Sequence, residues 1–123
     1  MIDIDEVVTI HDKLIEEFGG SGGIRDNNLL DSALKRPFQT FNKKDLYPTP
    51  QSKAAAVIES ILVNHPFVDG NKRTGYYLMR SILLCSDLDI KAPEDEKYEF
   101  VINIASGQLK FNQILSWIES RLI

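Results

Sequence analysis

Apolar residues at Ile4, Val7, Val8, Leu14, Ile15 and Phe18 recur at helical spacing and predict a first helix. The run Gly19-Gly20-Ser21-Gly22-Gly23 ends it, because successive glycines carry too much backbone freedom to continue a helix. Asp26 is placed to cap a second helix reaching about Lys35, with Leu29, Leu30, Ala33 and Leu34 on its buried face. Pro37 stops that helix. The stretch Pro37 to Pro50 holds three prolines, and its Asn42-Lys43-Lys44-Asp45 centre reads as a turn between two short extended arms, a hairpin or flap.

From Gln51 to Asn64 the residues Ala54, Ala55, Val57, Ile58, Ile61 and Leu62 make a broad apolar face. Pro66 and Gly70 force a loop over His65 to Gly70. The next helix, Asn71 to about Ser86, carries Tyr77, Leu78, Met79, Ile82, Leu83 and Leu84 nearly all round, which predicts the central, buried helix. Pro93 suits the first position of a further helix, with Glu94, Asp95 and Glu96 favouring its positive end and Gly107 closing it. A last helix runs from Phe111 to about Arg121 on Ile114, Leu115 and Ile118. The pattern predicts one all-α domain over residues 1–123, a compact helical bundle with one irregular flap.

Composition narrows the class. With 43% hydrophobic and 26% charged residues, the 123-residue chain has the makings of an ordinary globular core. No apolar run approaches the length of a membrane span. The start, Met1-Ile2-Asp3-Ile4-Asp5-Glu6, is acidic and unlike a secretory signal, and Cys85 is the sole cysteine. These features favour the cytoplasm. The net charge of −4 argues against direct nucleic-acid binding, which needs a basic surface, but leaves room for a local phosphate site.

That site falls at His65-Pro66-Phe67-Val68-Asp69-Gly70-Asn71-Lys72-Arg73. A helix start exposes backbone N–H groups without internal partners, and the helix dipole adds positive potential. Gly70 lets a ligand approach the backbone. Asn71, Lys72 and Arg73 place an amide and two cations in the first turn, where cations oppose the dipole unless an anion is bound. Asp69 is a hard oxygen ligand suited to Mg²⁺ bridging two phosphates. Histidine is the side chain that ordinarily titrates near neutrality, so His65 is the natural base for a hydroxyl nucleophile. Phe67 points into the core and anchors the loop.

Each piece also has a plain structural reading. A histidine before proline is often just a loop residue, Asp-Gly is a common turn pair, and Lys72 and Arg73 suit a solvated face. Their concentration within nine residues at one helix start favours transfer chemistry with a base, a metal ligand and an anion cradle.

The segment resembles the signature of Fic-domain proteins, His-x-Phe-x-Asp/Glu-Gly-Asn-Gly-Arg with a second arginine three residues later. It departs at Lys72, where most relatives have glycine, and at Tyr76, where the second arginine would stand. Both departures match the Doc branch, the "death on curing" toxins. Ile10-His11-Asp12, Phe18-Gly19-Gly20, Gly23-Ile24-Arg25-Asp26, Leu30-Asp31-Ser32-Ala33-Leu34 and Asp45-Leu46-Tyr47-Pro48-Thr49 extend the likeness over nearly the whole chain.

The resemblance implies that His65 deprotonates a target hydroxyl, that Asp69 holds Mg²⁺, and that Gly70, Asn71 and Arg73 bind phosphates of ATP. It also implies a target-docking flap over Phe41, Asn42, Lys43, Lys44, Asp45 and Leu46, pairing strand-like with the substrate. Lys72 fills the room that relatives leave for the β- and γ-phosphates, and Tyr76 offers no cationic grip. Phosphoryl transfer is therefore favoured over the AMP transfer of most Fic enzymes. Doc-like toxins phosphorylate elongation factor Tu, which makes it a candidate target. No self-blocking Ser/Thr-x-x-x-Glu-Gly/Asn helix is found, since Ser116-Trp117-Ile118-Glu119-Ser120 ends in serine, so restraint is expected from a separate antitoxin. The alternatives are an AMP transferase and a non-catalytic Fic-like binding module.

Other conspicuous residues read as structure. His11 lies on the buried side of the first helix as a packed polar group, and two histidines with one cysteine make a zinc site improbable. Trp117 and Tyr98 suit the core or a partner surface, Cys85 an inert helix position, and Gly75 close helix packing. Arg25, Asp26 and Asp31 brace the N-terminal loop without an assigned role.

Overall fold

Six α-helices and one short hairpin make up the described part of the chain in a computed structural model, which covers residues 2–123. Met1, the first residue of the acidic start, lies outside the described residues. Helix α1 spans Ile4–Phe18; the Asp3 side chain caps it by accepting from the Asp5 N–H, and Asp5 and Glu6 suit its positive end. Gly19, at φ 89°, ends it. Helix α2 spans Asn27–Lys35, with the Asp26 carboxylate accepting from Leu29 N–H as the sequence predicts. Its end passes into a single 3-10 turn, Arg36–Phe38, around Pro37.

The hairpin pairs β1, Thr40–Phe41, with β2, Lys44–Asp45, antiparallel. Its turn is tighter than the sequence reading. Asn42 and Lys43 both have positive φ, 50° and 65°, which makes a two-residue turn whose twist matches the strands. Lys44 and Asp45, read as part of the turn, are strand residues facing Phe41 and Thr40. Arg36 secures the base of the hairpin: its guanidinium donates to the Tyr47 hydroxyl and to Ser60 Oγ and pairs with Glu59 at 2.9 Å.

Helix α3 spans Pro50–Asn64 and opens with a reciprocal Thr49–Ser52 capping box. Helix α4 spans Asn71–Leu84, α5 Glu94–Ala105 and α6 Phe111–Glu119. The central helix is α3, not α4. Helix α3 buries Ala54 through Ile58 without a break, together with Ser52, Ser60, Ile61 and Leu62, and packs against α2, α4, α5 and α6. Its alanines let neighbours approach from several sides. Helix α4 buries Thr74, Gly75, Leu78, Met79 and Leu83 but leaves Tyr77 and Leu84 about half exposed.

Other boundaries shift by small amounts. Helix α4 stops at Leu84, so Cys85 is an exposed cap residue and not an interior helix position. Pro93 is the residue before α5 and not its first turn, and α6 stops at Glu119. Phe100 stacks on Trp117 with ring centres 3.8 Å apart, which ties α5 to α6. The closest helix pairing, α3 against α4, depends on Gly75. A Cβ there would overlap Leu62 Cδ1 and lie 3.4 Å from Ile61 Cγ2, and both residues are fully buried. This pairing fixes the α3–α4 connection, where the chemistry-bearing residues lie.

Candidate functional site

His65 caps the end of α3 in the left-handed region, at φ 49° and ψ 61°, while its N–H still bonds to Ile61 O. That conformation is uncommon for a residue with a Cβ and is held by its surroundings. Arg25 donates from Nε to His65 O and from Nη2 to Asn64 O, both at 2.6 Å. The backbone N–H groups of Arg25 and Asp26 both donate to Pro66 O, and Val68 N–H donates to Gly23 O. The loop is thus bound edge-on to the segment before α2, and two carbonyls at the end of α3, Asn64 O and His65 O, gain a partner. The imidazole of His65 is exposed and has no hydrogen-bond partner among the described residues.

Phe67 is buried, as the sequence predicts, and stacks flat on His11 with centres 3.8 Å apart. His11, also buried, places Nε2 2.7 Å from Asp69 O, so its ring donates from Nε2–H to that carbonyl. The Asn71 side chain spans the loop in both senses, accepting from Phe67 N–H and donating to Phe67 O, each at 3.0 Å. Its amide therefore braces the loop, and the backbone N–H is the part of Asn71 left to face an anion.

The Asp69 carboxylate is exposed. Gly70 N–H, at 2.8 Å, and Ser21 N–H, at 3.2 Å, hold its pKa below the usual carboxylate range, the Gly70 contact contributing most. Gly70 stands before α4 at φ 76°, a left-handed position natural to glycine. Among the described residues no side chain caps α4 and no acidic residue lies in its first turn. The first N–H groups of α4 are free of internal partners, and the dipole, Lys72 and Arg73 add positive potential. Lys72 and Arg73 are exposed, and neither joins an ion pair among the described residues.

A cleft of about 870 Å³ opens over this helix start. His65, Asp69, Gly70, Asn71, Lys72 and Arg73, the six motif residues singled out by sequence, all line it. The flap residues Phe41 to Leu46 do not. They are exposed, Phe41 and Leu46 prominently so. Two further walls escaped the sequence reading. One is Phe18, Gly19 and Gly20 at the end of α1, where the glycines read only as a helix stop. The other is Glu94, Lys97, Tyr98 and Val101, one face of α5 at helical spacing. Tyr76 also lines the cleft. Its hydroxyl is buried without a partner among the described residues, and burial pushes its pKa up.

The donor set suits Mg²⁺. Among the described residues no group of three or more His, Cys, Asp or Glu converges on one point. One carboxylate beside a phosphate cradle is how Mg²⁺ is commonly held, with phosphates and waters completing its shell.

A family model described as Fic/DOC family matches residues 1–83, two thirds of the chain and the entire motif. The chain belongs to the Fic/DOC family. Within it the chain is Doc-like. It is 40% identical over 84 residues to a protein named Toxin Doc from Mycolicibacterium smegmatis. The alignment covers 63% of this chain and 65% of that relative, so the chain spans just under two thirds of the relative's length. The all-α fold agrees with that of a Fic/DOC member. The α5 wall of the cleft lies beyond the residues the family model matches. Among the described residues no helix is long and apolar enough to cross a membrane.

Proposed function

We propose that this Fic/DOC member is the toxin of a toxin–antitoxin pair and moves the γ-phosphoryl group of ATP to a hydroxyl of a protein target. One observation carries the reading: an uncapped helix start, two cations that join no ion pair, a carboxylate and an imidazole without a hydrogen-bond partner, among the described residues, converge on one cleft. Among the described residues the helix start and the two cations have no neutralising anion, which a polyphosphate would supply.

The chain's residues divide the work. The α4 N–H groups, Lys72 and Arg73 cradle the phosphates. Asp69 holds Mg²⁺, which when bound neutralises phosphate charge. His65 accepts the proton of the target Ser, Thr or Tyr hydroxyl. The hydroxyl oxygen forms its bond to the γ-phosphorus as the bond from that phosphorus to the oxygen bridging to ADP breaks, and ADP leaves with the electron pair. The exposed hairpin of Phe41, Asn42, Lys43, Lys44, Asp45 and Leu46 offers strand edges to align the target segment.

Two positions favour γ- over α-phosphate attack. Lys72 puts a long cation where most Fic enzymes keep open space. Tyr76 presents a phenol with no charge where they carry an arginine. The target class includes elongation factor Tu, and a separate antitoxin would restrain the activity. The test is expression of the chain alone, with His65→Ala beside it, and ATP labelled at either the γ or the α position. Growth arrest relieved by His65→Ala, with label passing from the γ position, is expected. Equal harmlessness of both forms, or label passing from the α position, overturns the reading.

A further inference from the structure

The segment from Phe18 to Ser21 lies outside the signature, yet it touches two charged groups of the cleft, Asp69 and Arg73. Ser21 N–H donates to Asp69 Oδ2 at 3.2 Å. Beside it, Gly20 leaves no space for a side chain. A Cβ there would stand 2.7 Å from Asp69 Oδ2 and 3.2 Å from its Cγ, and φ is +114°. The Asp69 carboxylate therefore rests against backbone that glycine alone supplies. Next along, Gly19 O accepts from Arg73 Nη1 at 3.3 Å, and the Arg73 guanidinium lies over the Phe18 ring, 4.9 Å from its centre.

Asp69 and Arg73 are four residues apart across the start of α4, and they carry opposite charges. Left free, they would close on each other and cancel the charges that metal and phosphate need. Among the described residues no ion pair joins them. Each is tied to the α1 terminus instead.

We propose that the Phe18–Ser21 turn is a positioning clamp for the metal–phosphate site, holding Asp69 for a divalent cation and Arg73 for phosphate while keeping the two apart. The inference rests on the Mg²⁺–ATP reading above. Its backbone contacts come from Gly19 and Ser21, and its spacing from the missing Cβ of Gly20. Phe18, more than half exposed, has its role in carrying Arg73.

The test is calorimetric binding of ATP to the full chain, with Mg²⁺ and with a chelator, so that no turnover is read. Gly20→Ala is compared with Gly23→Ala. Gly23 has nearly the same strained φ, +107°, but an added Cβ there makes only an ordinary 3.6 Å contact with Val68. The clamp predicts that Gly20→Ala loses about tenfold of the Mg²⁺-dependent gain in ATP affinity, whereas Gly23→Ala keeps that gain. Phe18→Ala, a surface change that leaves the fold intact, weakens ATP about threefold with and without Mg²⁺. If the wild type binds Mg²⁺–ATP and Gly20→Ala matches Gly23→Ala, the clamp fails and the nucleotide reading stands. Full ATP affinity in Phe18→Ala also overturns the clamp. Failure of the wild type to bind ATP overturns the nucleotide reading, and the clamp with it.

Discussion

His65 depends on residues that do no chemistry. Its backbone is held in a left-handed conformation at the end of α3 by the Arg25 guanidinium, which grips His65 O and Asn64 O, and by the Pro66 carbonyl's two N–H partners. Arg25 is exposed, so removing it opens no core cavity. Arg25→Ala is therefore expected to cost about 1 kcal/mol of stability. It should lower kcat for transfer about tenfold, because His65, the proposed base, is no longer held in register. ATP affinity should be kept, since the proposed phosphate site is the start of α4, which Arg25 does not touch. Steady-state kinetics beside a thermal melt check this; an unchanged kcat would contradict the positioning role. The sequence makes His65, Asp69 and Arg73 legible as candidates because they fall within one nine-residue segment. Arg25 and Gly20 are not legible as site residues. Their contacts join positions some 40 to 50 residues apart, which no local spacing encodes.

At the scale of elements, helical periodicity places all six helices, because each carries an apolar stripe and a recognisable start or stop. Which helix is central does not follow from that pattern. Helix α4 has the larger apolar side chains, but α3 has Ala54, Ala55 and Ala56, and small residues let neighbours pack on several sides at once. Apolar density measures what a helix can bury, not how closely others come. The hairpin turn escapes similarly: Asn42 is a natural left-handed residue, whereas Lys43 reveals its positive φ only in the fold. Gly75 gives the α3–α4 pairing a sharp test. On an exposed helix face, glycine to alanine gains about 1 kcal/mol. Here the new methyl meets buried Leu62 and Ile61, so Gly75→Ala is expected to lose about 2 kcal/mol and lower Tm by several degrees. A melt showing higher Tm would contradict the packing account. Adding Leu62→Ala should make the pair of changes less than additive.

For the whole molecule, the arrangement joins three parts of the chain around one cleft. The α3–α4 connection brings His65, Asp69 and the start of α4; the end of α1 brings Phe18, Gly19 and Gly20; α5 lines the far side with Tyr98, Val101 and the Lys97–Glu94 pair. The first two fall within the residues shared with the Fic/DOC family, and the third lies beyond them. The hairpin does not line the cleft, and Phe41 and Leu46 on it are exposed. The central claim is that the cleft moves a phosphoryl group from ATP to a protein hydroxyl. It is tested most directly by the intact mass of elongation factor Tu, in both of its nucleotide states, after incubation with this protein and Mg²⁺–ATP, with a His65→Ala control. The account predicts a phosphate-sized gain that the control lacks. An AMP-sized gain, or none in either nucleotide state, would contradict it.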